Sequence, residues 1–296
     1  MRIVTDCAAD LAPAELEALA ITQAPLFIHF PEGGVSAADI APDAFYDRLE
    51  AMRPAVPTTA QPAPGDFAAI YQNLAAADPQ ILSLHISSGL SGTVNSARLG
   101  QAQAAAAQVT VWDTLTLSGG QRFQVLAAAW AARAGWAWAR LEARLREIQA
   151  HGEVVYTLDT LEYLARGGRI GRVQALAGAL LNLKPVITVD HTDGKYSTLG
   201  RARTIARAIA SMVDHLQAVY AQTPLWVTVL HGRFAEKAEA LAREAGQRLN
   251  VARLETARIS PVLGVHTGPG IVGLAALPMR LLEDLVGAPA AATPSG

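Results

Sequence analysis

The sequence predicts an α/β protein of two α/β domains, the first on a mainly parallel sheet and the second on a mixed sheet. Three observations carry this. Short apolar runs of strand type alternate with longer amphipathic stretches along the whole chain. The alternation restarts near residue 151, which divides the chain into 1–150 and 151–284 ahead of a tail at 285–296 expected to be disordered. The turn His191-Thr192-Asp193-Gly194 lies between two strand-like runs, so at least one pair in the second sheet is a hairpin.

Each element has its own local reason. Ile3–Thr5 opens as a strand, and Pro13–Ala20 is a short helix with proline near its start. ITQAPLFIHF is extended and PDAFYDRLEAM is an amphipathic helix. Val56–Pro64, VPTTAQPAP, is a loop punctuated by prolines. A helix follows at Gly65–Ala76, then a strand at Gln80–Ile86, a helix from about Asn95 to Ala107 and a strand at Val109–Asp113. An alanine-rich helical region runs from Ser118 to Ala150 with an interruption near Gly135. In the second half, Glu153–Leu158 is a strand and Asp159–Gly168 a capped helix ending in glycines. Pro185–Asp190 and KYSTLG form the hairpin, ARTIARAIASMVDHLQAVY a helix, and PLWVTVLHG a strand. AEKAEALAREAGQRL is a further helix and VARLETARI a further strand.

Composition narrows the function. The chain has 296 residues, 51% hydrophobic and 17% charged, with a net charge of -2. It has enough apolar material for a core and lacks the basic balance of a nucleic-acid binder. No apolar run approaches the roughly 20 residues that span a bilayer. The start, MRIVTDCAAD, has neither a basic nor an apolar leader region, and one cysteine, Cys7, forms no internal disulfide. The expectation is a cytoplasmic protein that is not an integral membrane protein. Seven histidines without ligand spacing predict no metal and no cofactor.

The stretch Ile86–Ala97, ISSGLSGTVNSA, concentrates hydroxyls and glycines without a single charge. It is not a phosphate-binding P-loop, because that needs a lysine, and the first lysine of the chain is Lys184. Gly89-Leu90-Ser91-Gly92-Thr93 comes close to a hydrolase nucleophile elbow, with Ser91 as nucleophile, but threonine replaces the last glycine. A third reading is a turn whose serines cap the next helix. The fourth is a site for a carboxylate at the carboxyl end of a strand, where helix N–H groups and hydroxyls meet an anion without a lysine or arginine. Thr58 and Thr59, between prolines, have the same uncharged chemistry. His266 precedes a Gly-Pro-Gly turn that leaves its ring accessible, although a lone histidine is commonly structural. Arg169 follows two glycines and either reaches into a site or caps a helix end. Arg201, Arg203 and Arg207 cluster at a helix start, where they oppose the macrodipole and so form either a solvated face or a partner surface.

Taken in order, IVTDCAADL, APLFIHF, VPTTAQPAPGDF, ISSGLSGTVNSA, WDT, TLEYLARGGRIG, LLNLKPVITVDHTDGK, RARTIARAIA and GVHTGPG resemble the DegV family of bacterial fatty-acid-binding proteins. The resemblance runs from about Ile3 to Leu277. It implies a long-chain fatty acid between two α/β domains, its carboxyl group held by Thr58, Thr59, Ser87 and Ser88, with Arg169 and His266 at the head-group end. It implies a carrier, not an enzyme, that presents the carboxylate to a separate fatty acid kinase subunit, with Arg203 near the docking surface. Two positions depart from the family pattern: Cys7 and Ala60 stand where the family usually has serine. The alternatives are a serine-dependent acyl hydrolase and a binder of another apolar ligand.

Overall fold

The computed structural model describes residues 1–173 and 183–286. The first half runs β1 (Arg2–Asp6), α1 (Pro13–Ala18), β2 (Ile21–Ala24), β3 (Phe27–Phe30), β4 (Gly33–Ser36), α2 (Pro42–Ala51), β5 (Thr58–Ala60) and α3 (Pro64–Ala75). It continues with β6 (Gln80–His85), α4 (Thr93–Gln101), β7 (Gln108–Asp113), α5 (Ser118–Arg133) and α6 (Trp138–His151). The second half holds β8 (Glu153–Leu158), α7 (Glu162–Arg166), β9 (Lys184–Val189), β10 (Tyr196–Ala202) and α8 (Ile205–Tyr220). After these come β11 (Leu225–His231), α9 (Ala235–Arg248), β12 (Val251–Arg258), α10 (Pro261–Thr267) and β13 (Ile271–Pro278).

The first sheet, β2-β1-β6-β7, is parallel throughout. The second, β10-β9-β8-β13-β11-β12, is mixed: only β11 and β12 pair in parallel. The hairpin of β9 and β10 forms as expected. Two local expectations are corrected, and one element is added. Thr58–Ala60 is not loop but strand β5, which pairs antiparallel with β3 in a small third sheet, β4-β3-β5. The helix expected to reach Ala107 ends at Gln101. The stretch after Pro261 forms α10, started by proline at its first turn.

The largest omission is β13. It lies in the middle of the second sheet, between β8 and β11, and all eight of its residues are buried. A strand covered on both faces reads as a continuous apolar run without alternation, so its period carries no signal. Its neighbours β8 and β11 are almost as fully buried, with successive residues going to opposite faces. Val155 of β8 faces α8, together with Val227, Val229 and Leu274. Val154, Tyr156 and Leu158 face the other way, into a core that also contains Ile3, Leu82 and Leu84 of the first sheet.

Helix α5 joins the two sheets. Every residue from Ser118 to Ala129 is buried. Phe123 and Trp130 flank Trp226 of β11, with ring centroids 6.0 and 5.9 Å apart. Helix α6 ends at His151 and β8 starts at Glu153, but the packed core crosses this point. Leu285 is buried in that core, inside the expected tail. Residues 287–296 of that tail lie outside the described residues. No described helix is long and apolar enough to cross a membrane.

Candidate functional site

Strand β5 and helix α10 come from opposite halves of the chain and meet through two side chains. Thr59 Oγ1 and His266 Nε2 lie 2.8 Å apart. The strand alternation that turns Thr59 inward leaves Thr58 exposed. Gly167, just after α7, makes room for the imidazole: a Cβ there would collide with His266 Nδ1. That nitrogen is buried and has no hydrogen-bond partner among the described residues. Burial, and then the nearby Arg169 guanidinium, hold the His266 pKa down at about 4, so the ring is neutral near pH 7. Arg169 itself is anchored by donating from Nη1 to Gly167 O at 2.7 Å.

These three residues line one pocket. Among the described residues, Arg169 is the only charged one on its wall; Gln61, Ser91 and Tyr196 add polar atoms, and Ala60 lies beside Thr59. Tyr196 and Leu263 also belong to the wall of an adjoining pocket. That cavity lies over the second sheet and is mainly apolar, with Leu158, Leu164, Ile187 and Ile271 among its residues. One end of the combined space is therefore polar and the other oily.

The serine loop is divided differently from the expectation. Ser87 is fully buried; its N–H donates to Thr116 O at 2.8 Å and its Oγ accepts from Gly89 N at 3.0 Å. Ser88 is exposed, and its N–H donates to Asp113 Oδ1 at 3.2 Å. Neither lies on the pocket wall. Leu90 and Ser91 do, one turn further on. Ser91 Oγ is 2.8 Å from Thr93 Oγ1 at the start of α4. Arg203 is exposed between β10 and α8, away from the pocket wall.

A Ser–His–Asp chain does exist elsewhere. Asp6 Oδ2 is 2.9 Å from His85 Nδ1, and His85 Nε2 is 2.7 Å from Ser83 Oγ. All three side chains are fully buried, and Ser83 Oγ also accepts from Tyr71 Oη at 2.9 Å. No substrate can reach that serine. The chain instead pins the ends of β1 and β6, since Ile86 N donates to the same Asp6 oxygen at 3.0 Å. Ser91, the nucleophile of the hydrolase alternative, bonds Thr93 and has no hydrogen bond to a histidine among the described residues.

One residue beneath the cavity was not singled out from sequence. Asp10 accepts from Ser118 Oγ at 2.5 Å and from Ser260 N at 2.7 Å, tying three segments together. Burial pushes its carboxyl pKa up to about 6. The only local signal was an acid inside the small-residue run Cys7–Leu11, which also fits a turn.

The fold and site define a class: an α/β protein on two large sheets and a small third one, with a polar pocket beside a mainly apolar one. The chain belongs to the DegV family, described as uncharacterised protein, DegV family, whose profile matches residues 1–279. A DegV domain-containing protein of Deinococcus radiodurans is 38% identical over 277 residues, covering 93% of this chain and 95% of that one. Among solved structures, the fold matches a Thermus thermophilus DegV family protein described by its fatty acid binding. The TM-score is 0.87 at 34% identity, over 94% of this chain and 100% of that one. It also matches DegV of Bacillus subtilis, described as a fatty acid binding protein, with a TM-score of 0.85 at 26% identity, over 93% and 98% of the two chains.

Proposed function

We propose that this protein binds a long-chain fatty acid, with the carboxylate at Thr59, His266 and Arg169 and the tail in the adjoining apolar cavity. The observation that carries this is the Thr59–His266 pair at the mouth of an apolar space. A neutral imidazole with hydrogen on Nε2 donates to Thr59 Oγ1 and leaves the threonine proton free for a carboxylate oxygen. Arg169 adds a positive charge, and Ser91 a second hydroxyl within the same wall. The Thermus thermophilus and Bacillus subtilis relatives support the ligand class.

The energetics assign the parts. About fifteen methylene-scale groups at roughly 0.8 kcal/mol each give about 12 kcal/mol gross on burial. Association costs at least about 4 kcal/mol. Neutral hydrogen bonds contribute about 1 kcal/mol each, so the mouth orients the head while the tail supplies most of the affinity. The chain is then a carrier, cytoplasmic in location, that presents its carboxylate to a separate fatty acid kinase. Arg203 would face that partner. Residues 1–150 and 151–284 serve as the two lobes around the ligand.

Native mass spectrometry of protein never exposed to detergent or organic solvent tests this. The expected result is an added mass of one long-chain fatty acid per chain, released on denaturation. A bare chain mass, with no binding of added fatty acid, would overturn it.

A further inference from the structure

Arg53 is exposed and lies outside the pocket wall, yet hydrogen bonds tie it to every part of the head-group site. It follows α2 in the first half of the chain. Its guanidinium donates twice to Tyr163 Oη of α7 in the second half, from Nε at 3.1 Å and from Nη2 at 2.8 Å. Tyr163 is buried, and its ring fills the space that Gly268 leaves: a Cβ there would collide with it. Gly268 has a φ of +74°, which favours glycine, and it ends α10 two residues after His266. The backbone of α7 holds the other side of the imidazole. Gly167 N donates to Tyr163 O at 2.9 Å and Arg169 N to Leu164 O at 3.0 Å, so the turn that carries Gly167 and Arg169 hangs on α7. From Arg53 the chain runs directly into β5 and Thr59.

Three segments that carry Thr59, His266 and Arg169 thus converge on one tyrosine. We infer that Arg53 and Tyr163 are positioning residues. Their bonded pair sets the Thr59–His266 spacing and the place of Arg169, and so determines how strongly the site prefers a carboxylate to a neutral head group. This rests on the fatty acid reading above and adds what sets its head-group selectivity. An exposed guanidinium exchanges its partner for water at small cost, so the pair adds little to overall stability. Hydrogen bonds weaken steeply with distance and angle, so a small shift of β5 against α10 is felt by the carboxylate and not by the tail.

The experiment compares octadecanoic acid with octadecan-1-ol on the delipidated full-length protein, read by displacement of a fluorescent fatty acid. Wild type is set beside Arg53→Met, which keeps the aliphatic stem, Tyr163→Phe, which keeps the ring under Gly268, and the double variant. Each single variant is expected to bind the acid about tenfold more weakly and the alcohol within about twofold of wild type. The double variant should be no worse than either single one, because both remove the same pair. Arg53→Lys, which still offers a donor, should restore part of the acid affinity. Unchanged acid affinity in both single variants overturns the inference. So does an equal loss for acid and alcohol, the mark of a merely structural role, and so do losses that add in the double variant. A wild-type protein that binds no acid removes the fatty acid reading, and this inference with it, before any variant is measured.

Discussion

Thr58 and Thr59 are adjacent and chemically identical, yet the pleat of β5 sends one to solvent and the other to His266. Thr59→Val is therefore expected to weaken fatty acid binding by about 1–3 kcal/mol, because a buried head group loses its donor. Thr58→Val should leave the dissociation constant unchanged. Equal effects in a displacement titration would place the carboxylate elsewhere. The pH dependence of stability also belongs to single residues. His266 has a folded pKa of about 4 against an ordinary 6.5. As pH falls from about 6.5 to 4, the unfolded chain takes up a proton that the native ring refuses, so the native state loses on the order of 3 kcal/mol. Asp10 works in the opposite direction. Its folded pKa of about 6, against 3.8, means the native carboxyl protonates first, and acidification over about pH 6 to 4 favours the native state by a similar amount. Relative to wild type, His266→Gln should gain stability between pH 7 and 4.5, and Asp10→Asn should lose it. Denaturant midpoints at the two pH values check both. Variant curves that stay parallel to wild type would show that neither group titrates as described.

Among the elements, the junction of β10 and α8 bears on the proposed kinase. Thr204 caps α8, its Oγ1 accepting from Arg207 N at 3.2 Å, and Arg203 sits just before it in solvent. A guanidinium so placed opposes the macrodipole of α8 and, being exposed, can pair with a carboxylate or an acyl-phosphate. Arg203→Ala should keep the melting temperature and the fatty acid affinity but slow acyl-phosphate formation by a cognate kinase. Phosphorylation at the wild-type rate, with saturating lipid, would assign Arg203 to the solvated face. The serine loop makes a second element-scale point. Its hydroxyls are dealt out by the turn that starts α4: Ser87 inward, Ser88 outward, Ser91 to the pocket.

At the scale of the whole molecule, two sheets share one continuous core through α5. Phe123 and Trp130 of α5 hold Trp226 of the second sheet, while the same helix packs on β1 and β6 of the first. Unfolding is therefore expected to be a single transition, and Phe123→Ala should destabilise it by about 3–5 kcal/mol. Far-UV circular dichroism and tryptophan fluorescence should give coincident melts. Two separated transitions would mean that the halves fold as independent units.

The sequence by itself determined the class of the fold and most of its elements. Periodicity, prolines and turn residues act locally, so the parallel first sheet, the β9–β10 hairpin and helix α8 were all legible. It also pointed to Thr59, Arg169 and His266, which the fold brings to one pocket wall, and to Thr58, Ser87 and Ser88, which it does not. Tertiary structure decided where these groups go. Strand β5 exists only because β3 lies beside it, and three residues between prolines carry no alternation long enough to read. Strand β13 is apolar on both sides because it is covered on both, which erases its period. Thr59 meets His266 across 207 positions of chain, and Asp10 meets Ser118 and Ser260 across 108 and 250. Contacts so distant in sequence are made by packing, and packing also sets the burial that moves the pKa values of His266 and Asp10 in opposite directions.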